Sequence, residues 1–257
     1  MRHWRIVRGG RGRRGPFERE GMLVPVITVS GNLGSGARDI AQAVAADLEL
    51  DYVDQEILVE AARELGVSIS DVASHDERPS SIGERLSGLM RTLMERSAAA
   101  GAPDPMSGGG LEMVLARTYG EAAELPEAGG QLTDENYLRT LTSIITGLAA
   151  RGGVVILGRG SQAILRDEPG VVHVYVTAQR EKRVAFLVER DGISEHDAEK
   201  RIKQSDHNRR AFHRRYFKVE AEDPLLYDVV INAGRISAPV AVRMIVEAAR
   251  ERSPRPG

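Results

Sequence analysis

The stretch "VPVITVSGNLGSGARDIAQAVAADL", residues 24–48, decides how the chain folds. It opens with a β-branched run bounded by Gly31, too short for a buried helix and suited to a central parallel strand. Further on, Ile40, Ala41, Val44, Ala45 and Leu48 recur at helical spacing with polar residues between them. The turn joining the two runs is Gly31-Asn32-Leu33-Gly34-Ser35-Gly36-Ala37-Arg38. Against the phosphate-loop template G-x-x-x-x-G-K-[ST], both outer glycines fit, while Ala37 and Arg38 stand where lysine and a hydroxyl are expected. A strand, a glycine turn and a helix start in that order aim backbone N–H groups at an anion. Ser35 and the amides of Gly34 and Gly36 are the candidates for cradling phosphate, and Arg38 supplies the nearest positive side chain. Two other readings stay open: a ligand-free turn needed only for tight packing, and a dinucleotide turn, which would want a small residue where Asp39 stands.

Outward from this turn the chain alternates. "LDYVD" reads as a second strand and "QEILVEAARELG" as a helix stopped by Gly66. Residues 68–132 carry helical patterns broken by "GAPDPMSGGG" and "LPEAGG", the mark of a mobile helical insertion. A helix over 134–150, capped by Thr133, feeds the strand "GVVILG". The strand "VVHVYVTA" follows, then a helix from about Arg180 and another from the capping box Ser194–Asp197. "YDVVIN" and a helix capped by Ser237 close a single domain over 22–253. Five strands alternating with helices predict an α/β fold, its parallel sheet covered on both faces and its ligands at the carboxyl ends of the strands.

Composition sets the outer bounds. The 257 residues are 42% hydrophobic with a formal charge of -2, so the chain can bury one sizeable core and has no global bias toward nucleic acid. The absence of cysteine excludes disulfides and thiolate chemistry and is compatible with the cytoplasm. No apolar run approaches the roughly 20 residues of a membrane span. Residues 1–21 are rich in arginine and glycine and read as a disordered basic extension outside the fold.

Charge matters where it clusters. Arg159 ends a strand at the ligand edge of the sheet, where it meets either a phosphate or a loop carboxylate. Between Lys200 and Lys218 eight basic residues, Arg209 among them, face one acid, Asp206. The run reads as a lid over about 194–218 closing on phosphate. A solvated face, a subunit contact in a homo-oligomer, and RNA stacked on Phe212, Tyr216 and Phe217 are the alternatives. His207 and His213 lie six apart, off a metal-ligand spacing, and no protein-held metal cluster is expected.

"ITVSGNLGSGARDIAQAVAADLELDYVDQEIL", "VVILGRGSQAIL", "VYVTAQREKRVAFL", "IKQSDHNRRAFHRRYF" and "YDVVIN", in this order, resemble the cytidylate kinase-like family. The resemblance runs from about Val26 to Arg250. It implies a P-loop NTPase-type three-layer fold with sheet order 2-3-1-4-5, a helical insertion and a lid. It also implies transfer of the γ-phosphoryl of ATP to CMP or a related nucleoside monophosphate with Mg²⁺. On this resemblance Gly31, Asn32, Gly34, Ser35, Gly36, Ala37 and Arg38 hold the donor phosphates. Asp54 orients the acceptor or holds the metal through water. Arg159 follows the third strand and faces the nucleotide, and Asp206 with Arg209 forms a D-x-x-R pair contacting base and phosphate. Arg38, Asp54, Arg159 and Arg209 are thus the candidate catalytic residues. Six residues after Asp54, Glu60 stands where an arginine would meet the acceptor phosphate, which leaves open another small acceptor; the missing lysine leaves open a nucleotide-binding regulatory protein.

Overall fold

The computed structural model describes residues 24–58, 117–123 and 134–252. The basic extension 1–21, most of the insertion, Glu60, most of the helix expected over 55–66 and the Thr133 cap lie outside the described residues. Five strands, β1 (Val26–Gly31), β2 (Asp51–Val53), β3 (Val154–Leu157), β4 (Val171–Thr177) and β5 (Val229–Asn232), form one sheet in the order β2-β3-β1-β4-β5. Every pairing is parallel, and β1 is central, with Ile27 opposite Val155 on one side and Val172 on the other. The helices are α1 (Ala37–Asp47), α2 (Tyr119–Ala123), α3 (Asp134–Arg151), α4 (Ser161–Ile164), α5 (Arg180–Asp191), α6 (Glu195–Phe217) and α7 (Ala238–Arg252). None of the described helices is long and apolar enough to cross a membrane.

The two faces of the sheet differ in chemistry because side chains alternate along each strand. One face carries Ile27, Val29, Val155, Val172, Val174 and Val176, packed on the apolar stripes of α1 and α7. All five apolar positions picked out between 38 and 48 are buried in that cluster. On the opposite face Val26, Val154, Ile156 and Val171 meet Tyr137, Leu141, Ile144 and Ile145 of α3 and Phe212 of α6. Each such burial contributes about 1.5–3 kcal/mol. Thr28, Ser30, His173 and Tyr175 share this second face by parity and are buried as well. A buried polar group needs a partner, and the Thr28 hydroxyl finds one at His173 Nδ1, 2.7 Å away.

Ser194 caps α6 as the capping box predicts, its Oγ accepting from the Asp197 amide at 3.1 Å. The expected lid segment is therefore one 23-residue helix. Its first half packs Ala198 and Ile202 on Val184 and Leu187 of α5. Its second half belongs to the core: Phe212 is fully buried among Tyr119, Tyr137, Tyr216 and Phe217. Gly160 makes room, since a Cβ there would lie 2.8 Å from Phe217 Cζ. The aromatic residues weighed as a stacking platform thus face inward. Lys200, Arg201, Lys203, Arg210, Arg214 and Lys218 are exposed, while Arg209 is buried.

His213, fully buried on α6, donates from Nδ1 to the Arg209 carbonyl at 2.7 Å, which leaves Nε2 to accept from Gln162 Nε2 at 2.8 Å. Burial, reinforced by the Arg209 charge, pulls its pKa down to about 4. The unfolded chain, with an ordinary histidine pKa near 6.5, then binds the extra proton between those values. His213 therefore contributes stability fully present above pH ~6.5 and lost as pH falls toward 4, roughly 3 kcal/mol in all. Unfolding free energies at pH 7 and pH 4 should differ by about that much more in wild type than in His213→Gln. Equal pH slopes in the two proteins would refute it.

Candidate functional site

The Gly31–Arg38 turn sits at the carboxyl end of the central strand and starts α1. Gly34 and Gly36 take left-handed conformations, φ 81° and 76°, which glycine adopts at little cost. A Cβ on Gly31 would lie 2.9 Å from the Val176 carbonyl, and one on Gly34 would lie 2.7 Å from the Arg183 carbonyl. Around Gly36 nothing lies within 4 Å of that position, so the turn is tight on its inner side and open at the helix start. Gly36 is the N-cap, and no side chain caps α1, which leaves its first-turn N–H groups for an anion. The Ser35 hydroxyl is buried without a hydrogen-bond partner, a cost a phosphate oxygen would relieve. A donor phosphate therefore fits the turn.

Asn32 plays a different part. Its Oδ1 accepts from the Tyr175 hydroxyl at 2.7 Å and from Thr177 at 2.9 Å, and its Nδ2 donates to Asp206 Oδ1 at 3.2 Å. The side chain is taken up in tying the turn to β4 and α6.

Arg38 turns toward the end of β2. Its guanidinium donates to both carboxylate oxygens of Glu56, at 3.2 and 3.1 Å, and lies 3.2 Å from Asp54 Oδ2. Burial opposes its charge, but Glu56 and Asp54 outweigh that and raise its pKa. Asp54 is buried; besides Arg38 it receives the Tyr52 hydroxyl at 3.0 Å and the Ile57 amide at 3.1 Å. Burial, with Asp54 next in effect, pushes the Tyr52 pKa up, so that hydroxyl stays a donor.

Arg159 follows β3 in a left-handed conformation, φ 60°, between Gly158 and Gly160, which are left-handed too. Such a conformation is uncommon for a residue with a side chain and concentrates at functional sites. Its amide donates to the Tyr119 hydroxyl at 2.7 Å, and its Nη1 donates to the Arg117 carbonyl at 2.6 Å. The side chain is buried against the insertion's described turn, with the Arg117 backbone carbonyl among its partners.

Asp206 and Arg209 lie one turn apart on α6; Asp206 accepts from Asn32 of the phosphate turn, and Arg209 is linked to Asn32 through the Tyr175 hydroxyl. Asp206 forms a two-pronged pair with Arg183 of α5, at 2.9 and 2.8 Å. Burial pushes the Asp206 pKa up, yet the bonds and charge of Arg183 prevail and lower it. Arg209 is 3% exposed and uses one nitrogen, Nη2, on the Tyr175 hydroxyl at 3.1 Å and on Glu222 at 2.6 Å. Its Nε and Nη1 have no hydrogen-bond partner. That is an arginine fork with one side pinned and the other buried with unmet hydrogen bonds, a cost an oxyanion bound there would relieve.

Sequence reasoning missed Arg183, Tyr175 and Glu222. Arg183 left one trace: it lies four residues before the buried Leu187, on the stripe of α5 that faces inward. A charge on a buried stripe asks for a partner.

The turn, the parallel 2-3-1-4-5 sheet and the helices on both faces make a P-loop NTPase-type three-layer fold. Among solved structures, an uncharacterized protein from Eubacterium ventriosum is 18% identical with a TM-score of 0.54, the match covering 89% of this chain and 99% of that one. Shikimate kinase from Acinetobacter baumannii in complex with shikimate is 12% identical with a TM-score of 0.41, covering 89% and 94%. A gluconokinase from Sinorhizobium meliloti is 14% identical with a TM-score of 0.42, covering 89% and 97%. No curated protein matches the chain. The sequence profile of the cytidylate kinase-like family matches residues 26–235, and the chain belongs to that family.

Proposed function

We propose that the chain is a nucleotide-binding phosphotransferase that passes the γ-phosphoryl of ATP to CMP or a related nucleoside monophosphate. One juxtaposition carries this reading. The uncapped helix start with its orphaned Ser35 hydroxyl is joined, through Asn32 and Tyr175, to a buried arginine with two unpartnered nitrogens. Phosphoryl transfer asks a protein chiefly for alignment and charge neutralisation of a loose transition state.

The amides of Gly34 and Gly36 with Ser35 bind the donor phosphates. Arg209 neutralises charge on the group in transit, and Arg159 faces the nucleotide from the end of β3. Asp54 orients the acceptor. Three donors reach its carboxylate, which offers about four lone-pair sites. One site remains for a divalent cation of the kind that takes one or two carboxylates plus substrate phosphates. Bound there, Mg²⁺ would supply further neutralisation of phosphate charge. The exposed first half of α6 serves as the lid. A cysteine-free chain working on nucleotides suits the cytoplasm.

The capture of Arg38 by Glu56 and Asp54 favours a second reading, a nucleotide-binding regulatory protein with weakened transfer. With Arg38 so held and no lysine at 37, the turn itself sends no cation to the outer phosphates.

A phosphoryl-transfer screen with ATP and each nucleoside monophosphate should give turnover with CMP or a close relative. Gly34→Val should abolish ATP binding, because a side chain at φ 81° would drive into the Arg183 carbonyl. Undiminished ATP affinity in a folded Gly34→Val protein would remove the loop from the site.

Arg209→Ala should lose about 10²-fold in turnover, since a charge-stabilising contact of this kind is worth roughly 3 kcal/mol in the transition state. Its melting temperature should fall as well, because Arg209 is buried against Glu222. A fall in melting temperature with unchanged turnover would make Arg209 structural only.

Ala37→Lys separates the two readings. An active native site should gain little from the added lysine, whereas a weakened site that kept its geometry should gain transfer. Transfer by Ala37→Lys alone, with none by wild type, would replace the kinase reading by the regulatory one.

A further inference from the structure

Arg183 spends its guanidinium on two partners from different parts of the chain. Nε donates to the Leu33 carbonyl inside the phosphate turn at 2.7 Å, and Nη1 and Nη2 grip both oxygens of Asp206 on α6. The residue is 6% exposed. Position 34 of the turn lies directly on the Arg183 backbone, as the 2.7 Å approach to its carbonyl shows. The Leu33 side chain packs on Val184, Leu187, Ala198 and Ile202, so turn, α5 and α6 meet around one small apolar cluster. Asp206 Oδ1 also receives Asn32 Nδ2, and Asn32 shares the Tyr175 hydroxyl with Arg209.

The geometry points to Arg183 and Asp206 as a positioning pair that sets the phosphate turn and Arg209 in register with one another. Neither member of the pair contacts the reacting atoms. The turn's amides bind an anion only while the turn keeps its shape, and Arg209 meets the same anion only while α6 stays docked. One ion pair with three good hydrogen bonds fixes both. A bidentate arginine pair suits this task because the planar fork fixes angle as well as distance. Asp206 is thereby committed to Arg183 and Asn32, a different assignment from contact with the nucleotide base. The nucleotide half of this inference rests on the phosphotransferase reading above; the loop-holding half stands on the bonds alone.

Arg183→Lys keeps the charge but cannot serve Leu33 and both Asp206 oxygens together, and Asp206→Asn keeps the shape while removing the charge. In each variant, hydrogen exchange should be followed at the Ser35 and Ile40 amides, which donate to the Asn32 and Gly36 carbonyls, and ADP affinity should be measured well below the melting temperature. Exchange at these two amides should speed at least tenfold while β1 and α7 keep wild-type protection, and ADP should bind at least tenfold more weakly. If Arg183→Lys does not fold, Asp206→Asn carries the test. Unchanged exchange at Ser35 and Ile40 overturns the pair's hold on the turn. Faster exchange across the whole chain with unaltered ADP affinity does so too, since a brace for global stability would give that result. Should wild type bind no ADP, the nucleotide reading falls, and the exchange data still decide whether the pair holds the turn.

Discussion

The structure depends on how β1 leaves the sheet. As the central strand it is paired on both edges and covered on both faces, so its chain exits only along the strand axis and must enter a helix within a few residues. Two left-handed glycines, Gly34 and Gly36, make that exit. The close approaches at Gly31 and Gly34 let the turn lie against β4 and α5 with no side chain between. A turn built this way directs unpaired amides away from the sheet, so the constraint that closes the core also creates an anion site.

The chemistry of the second sheet face follows from the same strand. On the α1 and α7 side every inward position of β1 and β4 is aliphatic and carries no polar obligation. On the other side Thr28 and Ser30 follow Val26, His173 and Tyr175 follow Val171, and each polar residue needs a partner. Tyr175 finds two, Asn32 in the turn and Arg209 on α6. A hydroxyl that donates to one and accepts from the other relays the position of the turn to the buried arginine. Buried networks of this kind are costly when half satisfied, and among the described residues this one leaves the two Arg209 nitrogens and the Ser35 hydroxyl without hydrogen-bond partners.

Much of this was legible in the sequence because it rests on local signals. β-Branched runs, helical spacing, glycine placement and the Ser194 box located the five strands and the starts of α1, α3, α5, α6 and α7 within a residue or two, but not the short helices α2 and α4. The turn was legible for the same reason, since its glycines answer to local backbone conformation. The spacing of Asp206 and Arg209 placed both on one side of a helix. The partners were not legible, because contacts between Arg183 and Leu33, 150 residues apart, or Arg38 and Glu56 depend on how elements pack. Burial of Arg209 was unreadable for a related reason. Among eight basic residues nothing in composition singles out the one that points inward, and only the packing of Phe212 and His213 on the same helix settles the rotation of α6.

Where the positive charge comes from is the last consequence of that packing. In the phosphate-loop template the turn carries its own lysine, so loop and charge move as one body. Here position 37 is alanine, buried beneath the turn, and Arg38 is drawn sideways by two carboxylates. The buried Arg209 fork belongs to α6, which lies far along the chain and is joined to the turn through Asp206 and through Tyr175. On the proposed reading, charge and cradle are thus separate parts whose alignment depends on docking. On that reading, anything that loosens α6 from α5 would withdraw the Arg209 charge and slacken the turn together, because the Arg183–Asp206 pair braces both, whereas a turn with its own lysine would keep its charge through the same motion.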